Sequence, residues 1–172
     1  MDNKQIYITE TDFKRLKETV KNMMLKRDAD RRSLEELERS YGSRDELGLI
    51  QDARRVKNSK NGTEWKRIEE LEIELNRAII VNDDNIPQGI VTMNTKVCLQ
   101  DMETKKDEVY QLVYPEDADI EQNKISVLAP IGTAILGYKV GDIIEWNVPA
   151  GLRKLRVKKV LYRVESAKGY HF

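Results

Sequence analysis

Apolar side chains at Phe13, Leu16, Val20, Met23, Leu34, Leu37 and Tyr41 recur at alternating three- and four-residue steps. That spacing buries one stripe of a helix against a partner helix. Arg27 and Asp30 fall on the same stripe, so the middle of this arm is expected to be weakly held. A second pattern runs from Leu47 and Ile50 to Trp65, Ile68, Leu71, Leu75 and Ile79, interrupted by the poor helix formers of residues 57–62. Thr9 or Thr11 can cap the first helix, with Glu10 and Asp12 near its positive end, and Gly42 can stop it. The pattern predicts an antiparallel helical hairpin over residues 12–81, folded about Arg44, with a short acidic tip near residues 43–47. This fold places Val20 near Ile68, Met23 near Trp65, and Arg27 and Asp30 near Asn61 and Asn58. Each arm would reach about 45 Å at the helical rise per residue.

Residues 82–89 are polar and contain Pro87 and Gly89, which marks a boundary between residues 1–81 and residues 90–172. Beyond it the periodicity becomes that of strands, at residues 95–100, 108–114, 124–128, 142–148 and 152–164. Pro130 and Gly137 bracket one short helix. Residues 5–9 read as an extended lead-in that packs at the hairpin base. The predicted class is α+β: a long coiled-coil hairpin followed by a small, mostly antiparallel β domain with one short helix.

Composition narrows the function classes. Lys plus Arg and Asp plus Glu are 30 each, so no global field draws the chain to nucleic acid, and any such contact needs a local patch. A lone Cys98 in an apolar strand excludes an internal disulfide and reads as a small core residue. No apolar run is long enough to span a membrane, and the first residues do not begin a signal peptide, so a cytoplasmic protein without a membrane partner is expected.

Three stretches of the C-terminal half carry a more specific signal: residues 113–119 (VYPEDAD), 125–132 (ISVLAPIG) and 134–142 (AILGYKVGD). In residues and in spacing they resemble the Gre transcript-cleavage factors, GreA and GreB. The order of a coiled-coil hairpin and a small sheet domain is also similar to that family's. The resemblance implies an FKBP-like head that docks on bacterial RNA polymerase and a hairpin that enters the polymerase secondary channel. It also implies a monomeric factor, not itself an enzyme, that activates the polymerase's own RNA hydrolysis. Asp117, Asp119, Ser126 and Pro130 fall on segments that the resemblance assigns to docking. Their bland reading is local loop chemistry and a helix start.

At the tip the match departs from the family pattern. Cleaving members have an aspartate and, three residues on, a glutamate; here Ser43 and Glu46 occupy those places and Asp45 is added. The resemblance makes Asp45 and Glu46 the residues that assist catalysis. They would hold a Mg²⁺ shared with the polymerase only within that complex, since magnesium binds through one or two carboxylates plus phosphate oxygens. No cofactor is expected in isolation. The alternative is that both carboxylates merely complement the start of the second helix, with Ser43 as its cap. Arg27, Arg31, Arg54, Arg55 and Lys57 form a basic zone on both arms that can neutralise the phosphates of a nascent RNA 3′ end. A solvated face laced with intrahelical pairs is the competing reading. Three functions stay open: a cleavage-stimulating Gre factor, a non-cleaving relative (Rnk-like or inhibitory) acting from the same channel, and a coiled-coil adaptor with no polymerase role.

Overall fold

The computed structural model describes residues 5–40, 62, 65–148 and 151–163. The chain enters as strand β1 (Tyr7–Thr9) and passes directly into helix α1 (Glu10–Ser40). The Thr9 hydroxyl oxygen accepts the Asp12 N–H at 3.0 Å, so Thr9 is the cap that starts the helix. Glu10 and Asp12 lie in the first turn, where the helix dipole favours negative charge. Helix α2 spans residues 65–76 and runs antiparallel to α1. Lys17 Nζ donates to Asn76 Oδ1 at 2.5 Å, and ten residues further along α1 Arg27 reaches Glu69. The acidic tip predicted near residues 43–47 lies outside the described residues.

Two expectations for the hairpin are corrected. The returning arm is not helical as far as Ile79, because residues 79–81 form strand β2 (Ile79–Val81) in parallel register with β1, Tyr7 opposite Ile79 and Thr9 opposite Val81. The run Ile79-Ile80-Val81 is β-branched throughout, which favours the pleated state over the helical spacing it also satisfies. A parallel pair requires a long crossover, and the α1–α2 hairpin is that crossover. The second correction concerns Arg27, expected near Asn61. Its guanidinium carbon sits over the Trp65 ring, 5.4 Å from the centroid, while its Nη1 meets Glu69 Oε1 at 3.1 Å. Arg27 is not a gap in the stripe but a cation seated on an aromatic face.

The head is a five-stranded sheet in the order β5-β4-β3-β7-β6, built from β3 (Thr95–Asp101), β4 (Asp107–Val113), β5 (Lys124–Ser126), β6 (Ile143–Val148) and β7 (Gly151–Arg163). Neighbouring strands are antiparallel except β4 and β5, which are parallel, so the expected antiparallel sheet has one parallel edge. Helix α3 (Pro130–Ile135) begins at Pro130, as its sequence predicts, and packs so closely on the end of β5 that a Cβ at Gly132 would collide with the Ser126 carbonyl. Cys98 is buried in β3 and free.

One buried cluster unites the two halves across residues 82–89, where Asp83–Asn85 forms a 3₁₀ turn. Leu16 and Val20 of α1 and Leu71 of α2 share it with Val97, Leu112 and Val157 of the sheet. Along α1 the burial then declines: Leu34 is half-buried and Leu37 is 44% exposed. The base of α1 belongs to the core of the head, and the rest extends from it.

Candidate functional site

The junction between α1 and the head is the most heavily bonded polar region among the described residues. Tyr114 directly follows β4 and is 2% exposed; Asp12, in the first turn of α1, is 1% exposed. The Tyr114 hydroxyl donates to Asp12 Oδ1 at 2.5 Å, linking residues 102 positions apart. A buried hydrogen bond to a charged acceptor contributes about 1.5–3 kcal/mol, and its loss leaves a buried carboxyl without that donor. Burial pushes the Tyr114 phenol well above its ordinary value, and the bond to Asp12 adds to the effect. One turn along α1, Arg15 lies flat over the Tyr114 ring, 3.6 Å from the centroid. Its Nη2 meets Glu116 Oε1 at 2.6 Å, its Nε meets the same oxygen at 3.2 Å, and Asp117 Oδ2 stands at 3.4 Å. Burial disfavours the charge on Arg15, but Glu116, Tyr114 and Asp117 outweigh it and raise its pKa. The exposed ion pair alone is worth about 0.2–1 kcal/mol, so the buried Asp12–Tyr114 bond dominates the junction and Arg15 covers it.

The residues expected to dock a partner follow at once in the chain. Asp117 closes the 3₁₀ turn Pro115–Asp117 and faces Arg15. Asp119 organises the next turn: its Oδ1 accepts the backbone N–H groups of Glu121 and Gln122, and its Oδ2 accepts the Gln122 side-chain amide at 2.8 Å. Ser126 Oγ accepts the Leu128 N–H at 3.1 Å, and Pro130 opens α3. All four have a local structural task. What their turn presents outward is Ile120, 89% exposed between Asp119 and Glu121. Sequence reasoning missed Ile120, and a lone apolar residue between acidic ones inside an evident turn was the available signal. It also missed Asp12, Arg15 and Tyr114 as a group, because nothing in local spacing pairs residues a hundred positions apart.

Of the basic residues expected to meet RNA, Arg27 is held by Trp65 and Glu69, and Arg31 lies 3.8 Å from Asp28 and 4.0 Å from Glu35. Both remain on the surface, at 45% and 65% side-chain exposure, so their present pairs do not remove them from contact with an anion. Arg54, Arg55 and Lys57 lie outside the described residues, as do Ser43, Asp45 and Glu46. Among the described residues no group of three acidic, His or Cys side chains is placed to hold a metal ion, and no helix is long and apolar enough to cross a membrane.

A family model described as "Transcription elongation factor, GreA/GreB, C-term" matches residues 86–162. The "Regulator of nucleoside diphosphate kinase" of Escherichia coli (strain K12) is 37% identical over 101 residues, 58% of this chain and 74% of that protein. Transcription elongation factor GreA of Clostridium beijerinckii is 37% identical over 117 residues, 68% of this chain and 71% of the relative. GreA of Acetivibrio thermocellus is 29% identical over 160 residues, 92% of this chain and 97% of the relative. Among solved structures, the transcription elongation factor GreA/GreB from Nitrosomonas europaea superposes with a TM-score of 0.60 at 28% identity, covering 92% of this chain and 98% of that one.

Proposed function

Because the chain belongs to the GreA/GreB family of transcription elongation factors, we propose that it binds RNA polymerase through its sheet head and works through its helical hairpin inside the secondary channel. The observation that carries this reading is the way α1 leaves the head. Its first turns are fixed in the core at Leu16 and Val20, and the remainder runs outward to Ser40. A helix of 31 residues spans about 46 Å, enough to bring a hairpin end into a partner's interior while the head stays on its surface.

In the cleaving mode, Asp45 and Glu46 at the hairpin end add oxygen ligands at the polymerase active centre. Together with the polymerase active centre they would hold a Mg²⁺, which would supply activation of water for hydrolysis of the backtracked RNA. Arg27 and Arg31, with Arg54, Arg55 and Lys57, supply a sequence-independent path for the RNA 3′ end. The surface turn of residues 117–121 docks the head: Asp117, Asp119 and Glu121 ring the exposed Ile120, which suits an apolar socket with a basic rim. Ser126 and Pro130, on the neighbouring strand and helix start, are further docking positions in this reading.

A second reading has its own support. Ser43 stands where cleaving members carry aspartate, and this departure favours a relative that occupies the polymerase without promoting cleavage. A stalled, backtracked elongation complex separates the modes: shortened RNA on addition of the protein supports cleavage, and slowed or arrested synthesis supports the modulator. If cleavage is seen, the double variant Asp45→Ala, Glu46→Ala is expected to abolish it and still bind polymerase, while Ser43→Asp strengthens it. Undiminished cleavage by the double variant would exclude the tip from the chemistry. A protein that does not bind polymerase at all is the adaptor.

A further inference from the structure

We infer that Arg15 and Tyr114 are positioning residues that fix the direction of the hairpin relative to the head, and so decide where its far end arrives. The inference rests on the proposed polymerase-channel reading for its functional consequence, but its structural half stands on the junction itself.

An apolar contact seats the helix against the sheet but, because dispersion and burial are nearly non-directional, it resists small rolls and pivots less than directional bonds do. The junction adds directional bonds at two successive turns of α1. The Tyr114 hydroxyl takes Asp12, and the face of the same ring takes the Arg15 guanidinium, which is in turn held in plane by Glu116. One aromatic side chain from the head is therefore gripped at its tip and on its face by residues one turn apart on the helix. Pivoting α1 in either sense breaks one of the two contacts. A third restraint lies on the strand that feeds the helix, where the Thr92 hydroxyl donates to the Tyr7 carbonyl at 2.9 Å.

Leverage makes this restraint matter. From Arg15 to Ser40 the helix is about 38 Å long, so a pivot of about 10° at the junction moves the far end by about 6–7 Å. Misplacement of a reacting group by about 1 Å can cost a hundredfold in rate. The head can dock correctly and the hairpin still miss.

The test labels the full chain at Glu36→Cys on α1 and Glu103→Cys on the head, in a Cys98→Ala background, and measures the distribution of label–label distances by pulsed electron spin resonance. It compares the otherwise unchanged chain with Arg15→Ala, Tyr114→Phe and the double variant. Arg15→Ala removes a surface guanidinium, with its ion pair and its contact to the Tyr114 ring, but no buried side chain, and is expected to fold, which keeps the test decisive if the double variant does not. The expected result is a single narrow distribution that broadens in each variant and most in the double one. On stalled elongation complexes the variants should bind polymerase as the parent does, with the parent's effect on the transcript reduced at least about tenfold. An unchanged distance distribution overturns the inference, and so does a broadened one with the transcript effect intact. If the parent neither binds nor affects polymerase, the proposed function fails instead, and the distance distribution alone then decides whether these residues hold the hairpin's direction.

Discussion

Tyr114 and Glu116 both bond to the first turns of α1 yet respond to pH in opposite senses. Burial pushes the Glu116 carboxyl up, but its own backbone N–H and Arg15 outweigh burial and leave it below its ordinary 4.5. A depressed carboxyl stabilises the fold fully above its unfolded value, and that contribution is lost as the pH falls through the folded one. Tyr114 is raised instead, so its contribution is complete below the ordinary 10 and is lost as the pH rises towards its folded value. The junction should be firmest between these limits, and Arg15 amide and guanidinium resonances followed through an acid titration should report Glu116 releasing first. Tyr114→Phe removes the only hydroxyl in this set and is expected to cost about 1.5–3 kcal/mol in urea unfolding, since Asp12 loses a buried charge-assisted bond. A cost within error of zero would mean that Asp12 is satisfied without Tyr114. None of this was legible in the sequence. Thr9 and Asp12 read as a helix start, which they are, but the Asp12 carboxyl turns to a strand from the other half of the chain rather than to its own helix.

At the scale of elements, the strands of the head are legible because each lies between turn residues, and α3 because Pro130 and Gly137 punctuate it. The exceptions are β1 and β2. β1 reads as an extended lead-in whose partner its three residues do not reveal, and Ile79 continues the helical spacing of Leu71 and Leu75 while its neighbours favour extension. Arg27 was misplaced for a related reason: it counted as a polar gap, whereas a guanidinium over Trp65 packs as a partly apolar surface. The element that joins both halves is the loop after α3. Gly137 has a φ of +83°, its N–H donates to the Val91 carbonyl at 2.9 Å, and a Cβ there would stand 2.6 Å from Ile6 Cγ1. Gly137→Ala therefore meets both a left-handed backbone, at about 1–2 kcal/mol, and a crowded core, at about 1–3 kcal/mol. We expect a loss of at least about 2 kcal/mol in thermal or urea unfolding, and accelerated amide exchange in β1 and β2 beyond that in the outer strands. Exchange that rises only around α3 would place the coupling between helix base and head elsewhere.

For the molecule as a whole, the proposed docking of the head is separable from the proposed delivery of the hairpin, and Ile120 tests the first without touching the second. It projects from a turn that Asp119 holds together through three hydrogen bonds, so shortening its side chain removes contact area without altering the backbone that presents it. Full burial of an isoleucine is worth about 1.5–3 kcal/mol, which corresponds to about a ten- to hundredfold change in Kd. Ile120→Ala is expected to weaken polymerase binding by about tenfold or more while leaving the protein's own unfolding transition and its α1-to-head distances unchanged. Salt then separates the two parts of the contact. The attraction of Asp117, Asp119 and Glu121 for a basic rim is screened as ionic strength rises, whereas the ratio of parent to Ile120→Ala affinities should hold constant, because apolar burial is not screened. A ratio that collapses towards one at high salt would make Ile120 a bystander to an electrostatic contact. A ratio of one at every salt concentration would remove this turn from the docking surface and leave the polymerase contact to another face of the head.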